Sequence, residues 1–527
     1  MAKYDRHLIP IIQPSINPIM NLAQILAQTA SRYGEKPAII FEEQVWSYAD
    51  LDRLVMTSAH DLEALGVQMG DRVTIILPKS VEFLSWHLAI MAIGAISLPL
   101  NPDYRSTEIT YFLTDSTSTL LITTSDRYHK IAPDIAHLSC QTLLTDQANR
   151  DSIPSTPLTY PCGDDAIAMI CYTSGTTGKP KGAMISHRNL ISNMQALHSA
   201  WQWSDRDRLL HVLPLFHVHG LNVAAMVSLY AGATMIMLDQ FAPYRTWQFL
   251  ESQQCTLFMA VPTIYQRLID AWEKMETKPN LSSLRLFVSG SAPLSAQQFH
   301  QFAALTGFPI LERYGMTETG MNASNPIEPN LRLPLSVGFS LAGVEIQIAP
   351  TESIPATSPD ASPHHDQGDR SPSIGEVLVR GDNVFQGYWQ MPDKTAAAFS
   401  NGWFHTGDLG YLDAEGRLFL VGRAKELIIT SGFNVYPKEV ENVLDQHPSI
   451  KESAVIGLTD RNLGEIVTAA IVLQPEQTLT TAAVISYCKK ELISYKCPRQ
   501  VFFVDALPRN ALGKLQKHLL SELLQFQ

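Results

Sequence analysis

The sequence lacks the features that mark several large classes of protein. Its 527 residues include six cysteines, and none of these forms a CxxC pair or lies at zinc-like spacing to histidines. Scattered cysteines indicate buried thiols in a reducing compartment. No long basic run is present, and 39 basic against 51 acidic residues give a net charge of −12. This charge argues against nucleic acid or an anionic membrane as the main partner.

Targeting and membrane signals are also missing. Met1 to Asn21 has neither the apolar core of a secretory signal nor an Arg/Ser-rich amphipathic presequence, which predicts a cytoplasmic protein. The longest apolar stretch, Val81 to Leu100, is interrupted by Glu82, His87 and Gly94. It fits a buried helix followed by a buried strand better than a membrane span. We therefore expect no stable membrane insertion.

The remaining composition indicates a large α/β protein with more than one domain. Hydrophobic residues make up 45% of the chain, and a single core rarely grows beyond about 250–300 residues. Short runs that are apolar at nearly every position alternate with amphipathic stretches, as in sheets covered on both faces. These runs are Arg72–Leu77, Thr119–Thr123, Thr234–Leu238, Thr256–Ala260 and Leu284–Val288. The pattern predicts several subdomains with layered parallel or mixed sheets and helices.

Two features divide the chain. Thr351 to Ser373 is rich in Pro, Ser and Asp, which predicts an exposed loop over residues 353–373. A strand-like run, Gly375 to Arg380, follows the loop, so the loop interrupts a domain and does not end it. We place the main boundary near Arg423, which gives an N-terminal domain of residues 1–423. Residues 424–527 form a small α+β C-terminal domain.

The segment from Tyr172 to Ala183 carries the clearest sign of chemistry. It reads Tyr-Thr-Ser-Gly-Thr-Thr-Gly-Lys-Pro-Lys-Gly-Ala, and its glycines let the backbone approach an anion closely. Lys179 and Lys181 add positive charge. Pro180 stands where a Walker loop has the Ser or Thr that binds magnesium, so a Walker loop is excluded. The segment predicts a phosphate-binding loop, and a glycine-rich turn without a ligand is the alternative.

Five motifs in a fixed order resemble those of the adenylate-forming superfamily, which includes acyl-CoA synthetases, luciferases and the adenylation domains of peptide synthetases. They are Tyr172–Ala183, Glu312–Thr319, Gly402–Leu409, Gly422–Glu426 and Pro508–Lys514. Four further stretches are most similar to malonyl-CoA synthetases. These are Leu213–Gly220, Val288–Pro293, Gly320–Asn325 and Asn434–Glu441.

The resemblance implies an acid–CoA ligase. A carboxylic acid attacks the α-phosphate of ATP to form an acyl-adenylate and pyrophosphate, and CoA then takes the acyl group while AMP leaves. It also implies that the C-terminal domain rotates between the two steps about a hinge at Lys425. Ser431, Gly432 and Phe433 would then line the channel for CoA.

The site residues are transferred motif by motif from the same resemblance. The implied catalytic residues are Lys514, Thr317, Glu318 and His217. Lys514 would bridge the acid and the α-phosphate, and Glu318 would hold Mg²⁺, because a hard cation prefers carboxylate oxygen. The implied nucleotide contacts are Thr173, Ser174, Gly175, Thr176, Thr177, Gly178, Lys179, Lys181, Ser291, Ala292, Pro293, Glu312, Tyr314, Gly315, Asp408 and Arg423.

A dicarboxylate substrate requires a cation in the acyl pocket, because a second carboxylate is costly to bury unless it is paired. Arg267 occupies the position that malonyl-CoA synthetases use for this purpose, and Ser291 and His217 would complete the acyl site. Arg267 also fits a solvated helix charge, and the sequence does not decide between Arg267 and Arg285. A short- or medium-chain fatty acid or an aryl acid is the alternative substrate.

Other functions remain open at this stage. A stand-alone enzyme that loads a carrier-protein thiol, a luciferase-like oxidase and a non-catalytic binding protein share the fold. The presence of Glu318, Asp408 and Lys514 argues against a non-catalytic binding protein, because a protein without catalytic activity has no chemical reason to keep all three. The sequence gives no oligomeric state.

Overall fold

The computed structural model describes residues 20–147, 157–173, 180–350, 373–431, 433–461, 463–509 and 514–525. The expected loop at 353–373 therefore lies almost wholly outside the described residues. The helices are α1 Leu22–Tyr33, α2 Tyr48–Ala64, α3 Val81–Ala92, α4 Ser106–Ser116, α5 Ser125–Ile135, α6 His187–Ala200, α7 Val227–Tyr230, α8 Pro243–Ser252, α9 Pro262–Lys274, α10 Ala296–Thr306, α11 Pro392–Ala397, α12 Pro437–Leu444, α13 Thr481–Glu491 and α14 Lys517–Gln525. A π-helix spans His219–Met226, and 3₁₀ turns span Thr145–Gln147, Pro329–Leu331, Ala424–Glu426 and Ser494–Lys496.

The first thirteen strands of the described chain lie before Thr317. They are β1 Pro37–Phe41, β2 Gln44–Ser47, β3 Arg72–Ile76, β4 Ile96–Pro99, β5 Leu120–Thr123, β6 Gln141–Leu144, β7 Ile167–Thr173, β8 Lys181–Ser186, β9 Arg208–His211, β10 Thr234–Met237, β11 Leu257–Ala260, β12 Leu286–Ser289 and β13 Leu311–Met316. The later ones are β14 Gly320–Ser324, β15 Ser336–Ser340, β16 Val344–Pro350, β17 Gly375–Gly381, β18 Gly387–Tyr388, β19 Phe399–Ser400, β20 Trp403–Leu412, β21 Leu418–Arg423, β22 Ile428–Thr430, β23 Phe433–Val435, β24 Ile450–Asp460, β25 Gly464–Leu473 and β26 Gln500–Phe503.

These strands form three sheets over the part of the chain that the structure describes. The largest has the order β16-β17-β20-β21-β15-β14-β13-β12-β11-β9-β10-β1-β2, with β19 on β20. The second has the order β18-β8-β7-β4-β3-β5-β6. The third, β23-β22-β25-β24 with β26 on β25, is made entirely from residues that follow Arg423. The predicted α/β class with a large N-terminal part and a small C-terminal part is confirmed.

The first two sheets are layered with helices on both faces. The main core packs α1, α2, α3 and α6 between them, with contributions from strands of both sheets. Helices α8, α9 and α10 cover the outer face of the large sheet, and α4 and α5 cover that of the second sheet. Strands buried on both faces explain the apolar runs of the sequence, such as β3 and β5.

The longest apolar stretch folds as expected. Val81 to Ala92 is a helix whose residues are nearly all buried, capped by the Ser80 hydroxyl, and Ile96 to Pro99 is a buried strand. Among the described residues, no helix is long and apolar enough to cross a membrane.

Candidate active site

Three parallel strands of the large sheet, β9, β11 and β12, end at nearly the same level, and the parallel strand β13 continues past them to Met316. His211 of β9 pairs with Met259 of β11, and Ala260 of β11 pairs with Ser289 of β12. Ser289 in turn pairs with Glu312 of β13. Loops that follow the carboxyl ends of neighbouring parallel strands converge on one edge, which is where α/β sheets bind ligands. The motifs that follow these strands, Leu213–Gly220, Val288–Pro293 and Glu312–Thr319, therefore meet here, although they are far apart in sequence.

A buried carboxylate forms one wall of this edge. Asp408 on β20 lies opposite Arg423 on β21, and Arg423 Nε is 2.8 Å from Asp408 Oδ1. The Tyr314 hydroxyl donates to Asp408 Oδ2 at 2.5 Å. Burial raises the pKa of Asp408, and Arg423 and the Tyr314 hydroxyl oppose that effect. Three residues that the sequence assigned to the nucleotide are thus joined in one hydrogen-bonded group.

A second buried carboxylate lies near Lys181, the last lysine of the predicted phosphate loop. Glu318 is 7% exposed, and its Oε1 accepts a hydrogen bond from the Tyr388 hydroxyl at 3.1 Å. The Glu318 Oε2 atom has no hydrogen bond to a described residue. Lys181 Nζ lies 4.2 Å from the centre of the Tyr388 ring, a cation–π contact. Tyr388 thus contacts both Lys181, the last lysine of the predicted phosphate loop, and Glu318.

The donor set around Glu318 fits magnesium that is shared with a phosphate. Magnesium is commonly held by one or two carboxylates plus substrate phosphates and water. The described part of the chain contains no group of three or more His, Cys, Asp or Glu side chains that could hold a metal ion. A cation at Glu318 would therefore take its other ligands from ATP and water.

Lys514 approaches this site from the C-terminal part of the chain. Burial lowers the pKa of Lys514, as does the charge of Arg423, while Asp408, Glu426 and Glu318 raise it. The ammonium group is therefore within electrostatic reach of both buried carboxylates. Lys517, at the start of α14, binds Glu441 at 2.7 Å and Glu426 at 3.3 Å.

The predicted acyl side of the edge contains histidines and a serine. His219 Nδ1 is 3.1 Å from Ser291 Oγ, and Ser291 has a left-handed backbone with φ of 69°. His217 is half-buried, with its ring 4.5 Å from that of Phe216. Burial lowers the pKa of His217 to about 4, so its imidazole is neutral at physiological pH. These groups can donate or accept a hydrogen bond but carry no charge.

The two arginines that the sequence left undecided lie in different places. Arg267 is exposed on α9, two turns after the carboxyl end of β11, and its guanidinium lies 4.8 Å from the centre of the Phe241 ring. Arg285 lies at the amino end of β12, away from Ser291, and binds Asp207 with contacts of 2.8 and 2.9 Å. Arg285 is therefore committed to a structural ion pair.

The remaining predicted residues are distributed around the same edge. Gly315 allows the close β13–β14 approach, because a Cβ there would lie 2.1 Å from the Gly320 carbonyl oxygen. Glu312 accepts a hydrogen bond from the Leu294 amide at 2.9 Å, next to Ala292 and Pro293. Thr317 is half-buried between Gly315 and Glu318, and Thr173 ends β7 opposite Lys181.

The expected hinge and channel residues lie after β21. Lys425 is in the 3₁₀ turn Ala424–Glu426, and Ser431 has φ of 51°. The exposed Phe433 ring stacks on Tyr495 at 4.6 Å. Two sets of predicted residues, Ser174 to Lys179 and Gly432, lie outside the described residues.

Sequence reasoning missed Tyr388, a side chain of this region that touches both Lys181 and Glu318. Tyr388 lies outside the quoted motifs, and an aromatic residue after a glycine is not by itself a signal of function.

The chain can now be assigned to a class. Residues 26–389 match the AMP-binding enzyme family, and residues 439–514 match the AMP-binding enzyme C-terminal domain. The chain belongs to the AMP-binding enzyme family.

Individual relatives narrow the class further. The chain is 39% identical to ATP-bound MatB from Rhodopseudomonas palustris, with a TM-score of 0.87 over 96% of this chain and 99% of that one. It is 35% identical to the mitochondrial malonate–CoA ligase ACSF3 of Mus musculus, over 94% of this chain and 90% of the relative. It is 32% identical to an oxalate–CoA ligase of Arabidopsis thaliana, over 95% and 98%. The predicted ATP-dependent, AMP-forming acid–CoA ligase is confirmed by these matches.

Proposed function

We propose that this enzyme joins malonate, or a close dicarboxylate, to CoA. The observation that carries the proposal is the likeness, over more than nine-tenths of the chain, to ligases named for malonate and for oxalate. Both acids carry two carboxylates, so the shared feature is a site that accepts a second negative charge. A monocarboxylic acid would leave a cation in such a site unpaired, which is costly when the site is buried.

In the first step the acid oxygen attacks the α-phosphate, and pyrophosphate leaves. Tyr314, Asp408 and Arg423 form the hydrogen-bonded group described above, and we propose that Asp408 orients the ribose through its hydroxyls. Lys514 supplies positive charge at the place where negative charge develops between the two anionic reactants. Such preorganised charge accelerates a reaction most in a site that excludes water. Mg²⁺, when bound at Glu318, would offset the charge of the phosphates.

In the second step the thiol of CoA attacks the acyl-adenylate and AMP leaves. We propose that Lys425 is the hinge for this change, and that Ser431, Gly432 and Phe433 then line the CoA channel. The proposal is supported by the electrostatic contact of Lys514 with Asp408 and Glu318, which belongs to the first step. We propose that the thiol step uses a different domain arrangement, as the resemblance to the family implies.

Two further features remain proposals. We place the enzyme in the cytoplasm on the sequence argument, although the mouse relative is named mitochondrial. We also propose ATP, CoA and the acid as its partners, with no nucleic acid.

A substrate panel tests the proposed acid. The protein is incubated with ATP, Mg²⁺ and CoA plus malonate, methylmalonate, oxalate, acetate, butyrate or octanoate, and both AMP and the thioester are measured. We expect malonate to give at least tenfold higher kcat/KM than butyrate. Equal turnover of malonate and butyrate contradicts the dicarboxylate proposal. If oxalate gives the highest turnover, the proposal of a dicarboxylate substrate stands, but the preferred acid is oxalate and not malonate. AMP without thioester contradicts CoA as the acceptor.

A further inference from the structure

One helix contacts the predicted phosphate loop on both sides of its central residues. Tyr111 and Asp115 lie four residues apart on α4, so their side chains project from the same face. The Tyr111 hydroxyl donates to the Pro180 carbonyl at 2.8 Å. The Tyr172 hydroxyl donates to Asp115 Oδ2 at 2.6 Å. Because Tyr172 begins the loop and Pro180 lies near its end, α4 is bonded to the chain before Ser174 and after Lys179.

The Tyr172 hydroxyl keeps its proton for this hydrogen bond. Burial raises the pKa of Tyr172, and the hydrogen bond and charge of Asp115 raise it further. A bond of 2.6 Å from a hydroxyl to a carboxylate has the length of a strong, charge-assisted hydrogen bond. Burial and the Asp115 carboxylate also raise the pKa of Tyr111. The Asp115 carboxylate therefore lies near both hydroxyls.

Aromatic packing fixes the directions of the two tyrosine rings. The Phe112 ring lies 4.7 Å from that of Tyr172 and 5.5 Å from that of Tyr111, measured between centres. The Tyr111 and Tyr172 rings meet edge to face at 6.4 Å. Phe112 itself is buried in the core between α4 and the second sheet. Such contacts orient aromatic rings, so each hydroxyl is held in line with its acceptor.

The same helix is bonded to the segment that contacts Glu318. Trp389 Nε1 donates to the Asp115 carbonyl at 3.1 Å, and the Trp389 amide donates to the Gly182 carbonyl at 2.7 Å. Trp389 directly follows Tyr388, whose hydroxyl donates to Glu318. The end of α4, the described ends of the phosphate loop and the Tyr388 segment are therefore joined in one hydrogen-bonded unit.

These bonds would affect ATP and AMP equally if they only fastened α4 to the β7–β8 hairpin. A role in phosphate binding predicts a difference, because ATP carries two phosphates that AMP lacks. Binding elements work best when neighbouring side chains already hold them in the bound position. A loop whose two ends are held in this way has less freedom to lose when it binds its ligand. The ratio of ATP affinity to AMP affinity therefore distinguishes the two roles.

We infer that Tyr111 and Asp115 are positioning residues for ATP, which act through Pro180 and Tyr172 to hold the phosphate loop where the β- and γ-phosphates bind. This inference rests on the proposed function, since it takes Tyr172–Ala183 as the phosphate loop. Neither residue belongs to the ordered motifs, and only the fold brings them to the loop.

The first test compares the two nucleotides. Tyr111→Phe removes the bond to Pro180, and Asp115→Leu removes the acceptor of Tyr172. In each variant we expect the dissociation constant for Mg²⁺-ATP to rise about fivefold, which is the effect of one hydrogen bond. The constant for AMP and the KM for the acid should each change less than twofold. Calorimetry measures nucleotide binding, and steady-state kinetics give the KM.

Two further variants provide the controls. Asp115→Asn keeps an acceptor for the Tyr172 hydroxyl and should bind ATP within twofold of wild type. Tyr104→Phe removes a hydroxyl from the same aromatic cluster, where Tyr104 packs on Phe112 with ring centres 5.1 Å apart. The Tyr104 hydroxyl makes no hydrogen bond to a described residue, so both dissociation constants should stay at the wild-type values.

Equal changes for ATP and AMP in Tyr111→Phe and Asp115→Leu overturn the inference, because they show that the bonds support the fold alone. An unchanged affinity for ATP in both variants also overturns it. Should Asp115→Leu fail to fold, Tyr111→Phe decides the question, since it removes a single hydroxyl.

Lys181→Met separates this inference from the function on which it rests. If Lys181→Met binds ATP as wild type does, the assignment of the phosphate loop fails and this inference fails with it. If Lys181→Met loses ATP affinity while Tyr111→Phe and Asp115→Leu retain it, only this inference is overturned. Nucleotide binding is measured without the acid, so a failure of malonate in the substrate panel leaves this result unaffected.

Discussion

The Tyr314 hydroxyl and Arg423 each bind one oxygen of Asp408, and Tyr314 lies 94 residues from Asp408 in sequence. Tyr314→Phe removes one of these bonds and leaves a buried carboxylate oxygen without a donor. We expect a loss of about 2 kcal/mol in the free energy of unfolding and about a tenfold higher KM for ATP. Denaturant unfolding and steady-state kinetics measure the two effects.

Tyr411→Phe serves as the control for this prediction. Tyr411 lies on β20, as Asp408 does, and stacks on Phe419 with ring centres 5.0 Å apart. Its hydroxyl makes no hydrogen bond to a described residue. Its loss of a hydroxyl should leave both quantities unchanged within error. Equal effects of the two substitutions would show that the Asp408 contact has no special role.

Lys514 is surrounded by Asp408, Glu426 and Glu318, which favour its charged form despite burial. In Lys514→Ala the positive charge near the α-phosphate is lost, and removal of a preorganised charge costs about 10²–10³-fold in kcat. Adenylation is measured by pyrophosphate exchange and ATP affinity by calorimetry. The dissociation constant for ATP should change less than threefold. Retention of most exchange activity would refute the assigned role.

Glu312 should make stability depend on pH. Burial raises its pKa from 4.5 to about 7, so the folded protein keeps a proton that the unfolded chain releases at lower pH. Stability contributed by this proton is complete below pH 4.5 and is lost as the pH rises through about 7. The loss amounts to about 2–3 kcal/mol, and Glu312→Gln should remove it. Unfolding without nucleotide at pH 5 and pH 8 measures the difference; an equal slope in both proteins contradicts the assignment.

At the scale of elements, Arg285 ties β12 to β9 and to the end of α6. It binds both oxygens of Asp207, which is 4% exposed, and donates to the Trp201 carbonyl at 2.9 Å. Arg285→Met leaves the buried carboxylate of Asp207 without its cation and should destabilise the protein by about 3 kcal/mol. The ratio of kcat/KM for malonate and butyrate should stay unchanged in the folded protein. A large fall in the ratio of kcat/KM for malonate to that for butyrate would indicate that Arg285 belongs to the acyl site.

The strands of the two large sheets were predictable from sequence, and their neighbours were not. Runs such as Arg72–Leu77 and Thr234–Leu238 are apolar because both faces of each strand are covered, and they became β3 and β10. The order of the strands within each sheet is set by long crossover connections, which local sequence patterns do not predict. Arg285 and Arg267 show the consequence, because both flank apolar segments, yet one lies at the amino end of β12 and the other lies beyond the carboxyl end of β11.

At the scale of the whole molecule, ionic contacts join the 3₁₀ turn that contains Lys425 to helices α12 and α14 within the C-terminal part. Lys517 pairs with Glu426, next to Lys425, and with Glu441 of α12. If Lys425 is the hinge, as we propose, a change of domain orientation between the two reactions requires backbone freedom at this residue. Lys425→Pro fixes φ near −65° and should leave pyrophosphate exchange within threefold of wild type while thioester formation falls at least tenfold.

Single-turnover measurements separate the two steps in this variant. The adenylate is formed first without CoA, and its decay is followed after CoA is added. Lys438→Ala provides a control, because Lys438 also forms an ion pair within the C-terminal part, at 3.7 Å from Glu441, but lies outside the turn. Equal loss of both half-reactions in Lys425→Pro would contradict a hinge at this residue.

The sequence by itself determined the α/β class, through its local apolar patterning, and the AMP-forming reaction, through the resemblance of its ordered motifs to a known family. Tertiary structure alone decided which charged groups meet. It joined Tyr314, Asp408 and Arg423, and committed Arg285 to Asp207. The physical reason is that burial and charge pairing depend on strand order and packing across the sheet, which no local pattern encodes.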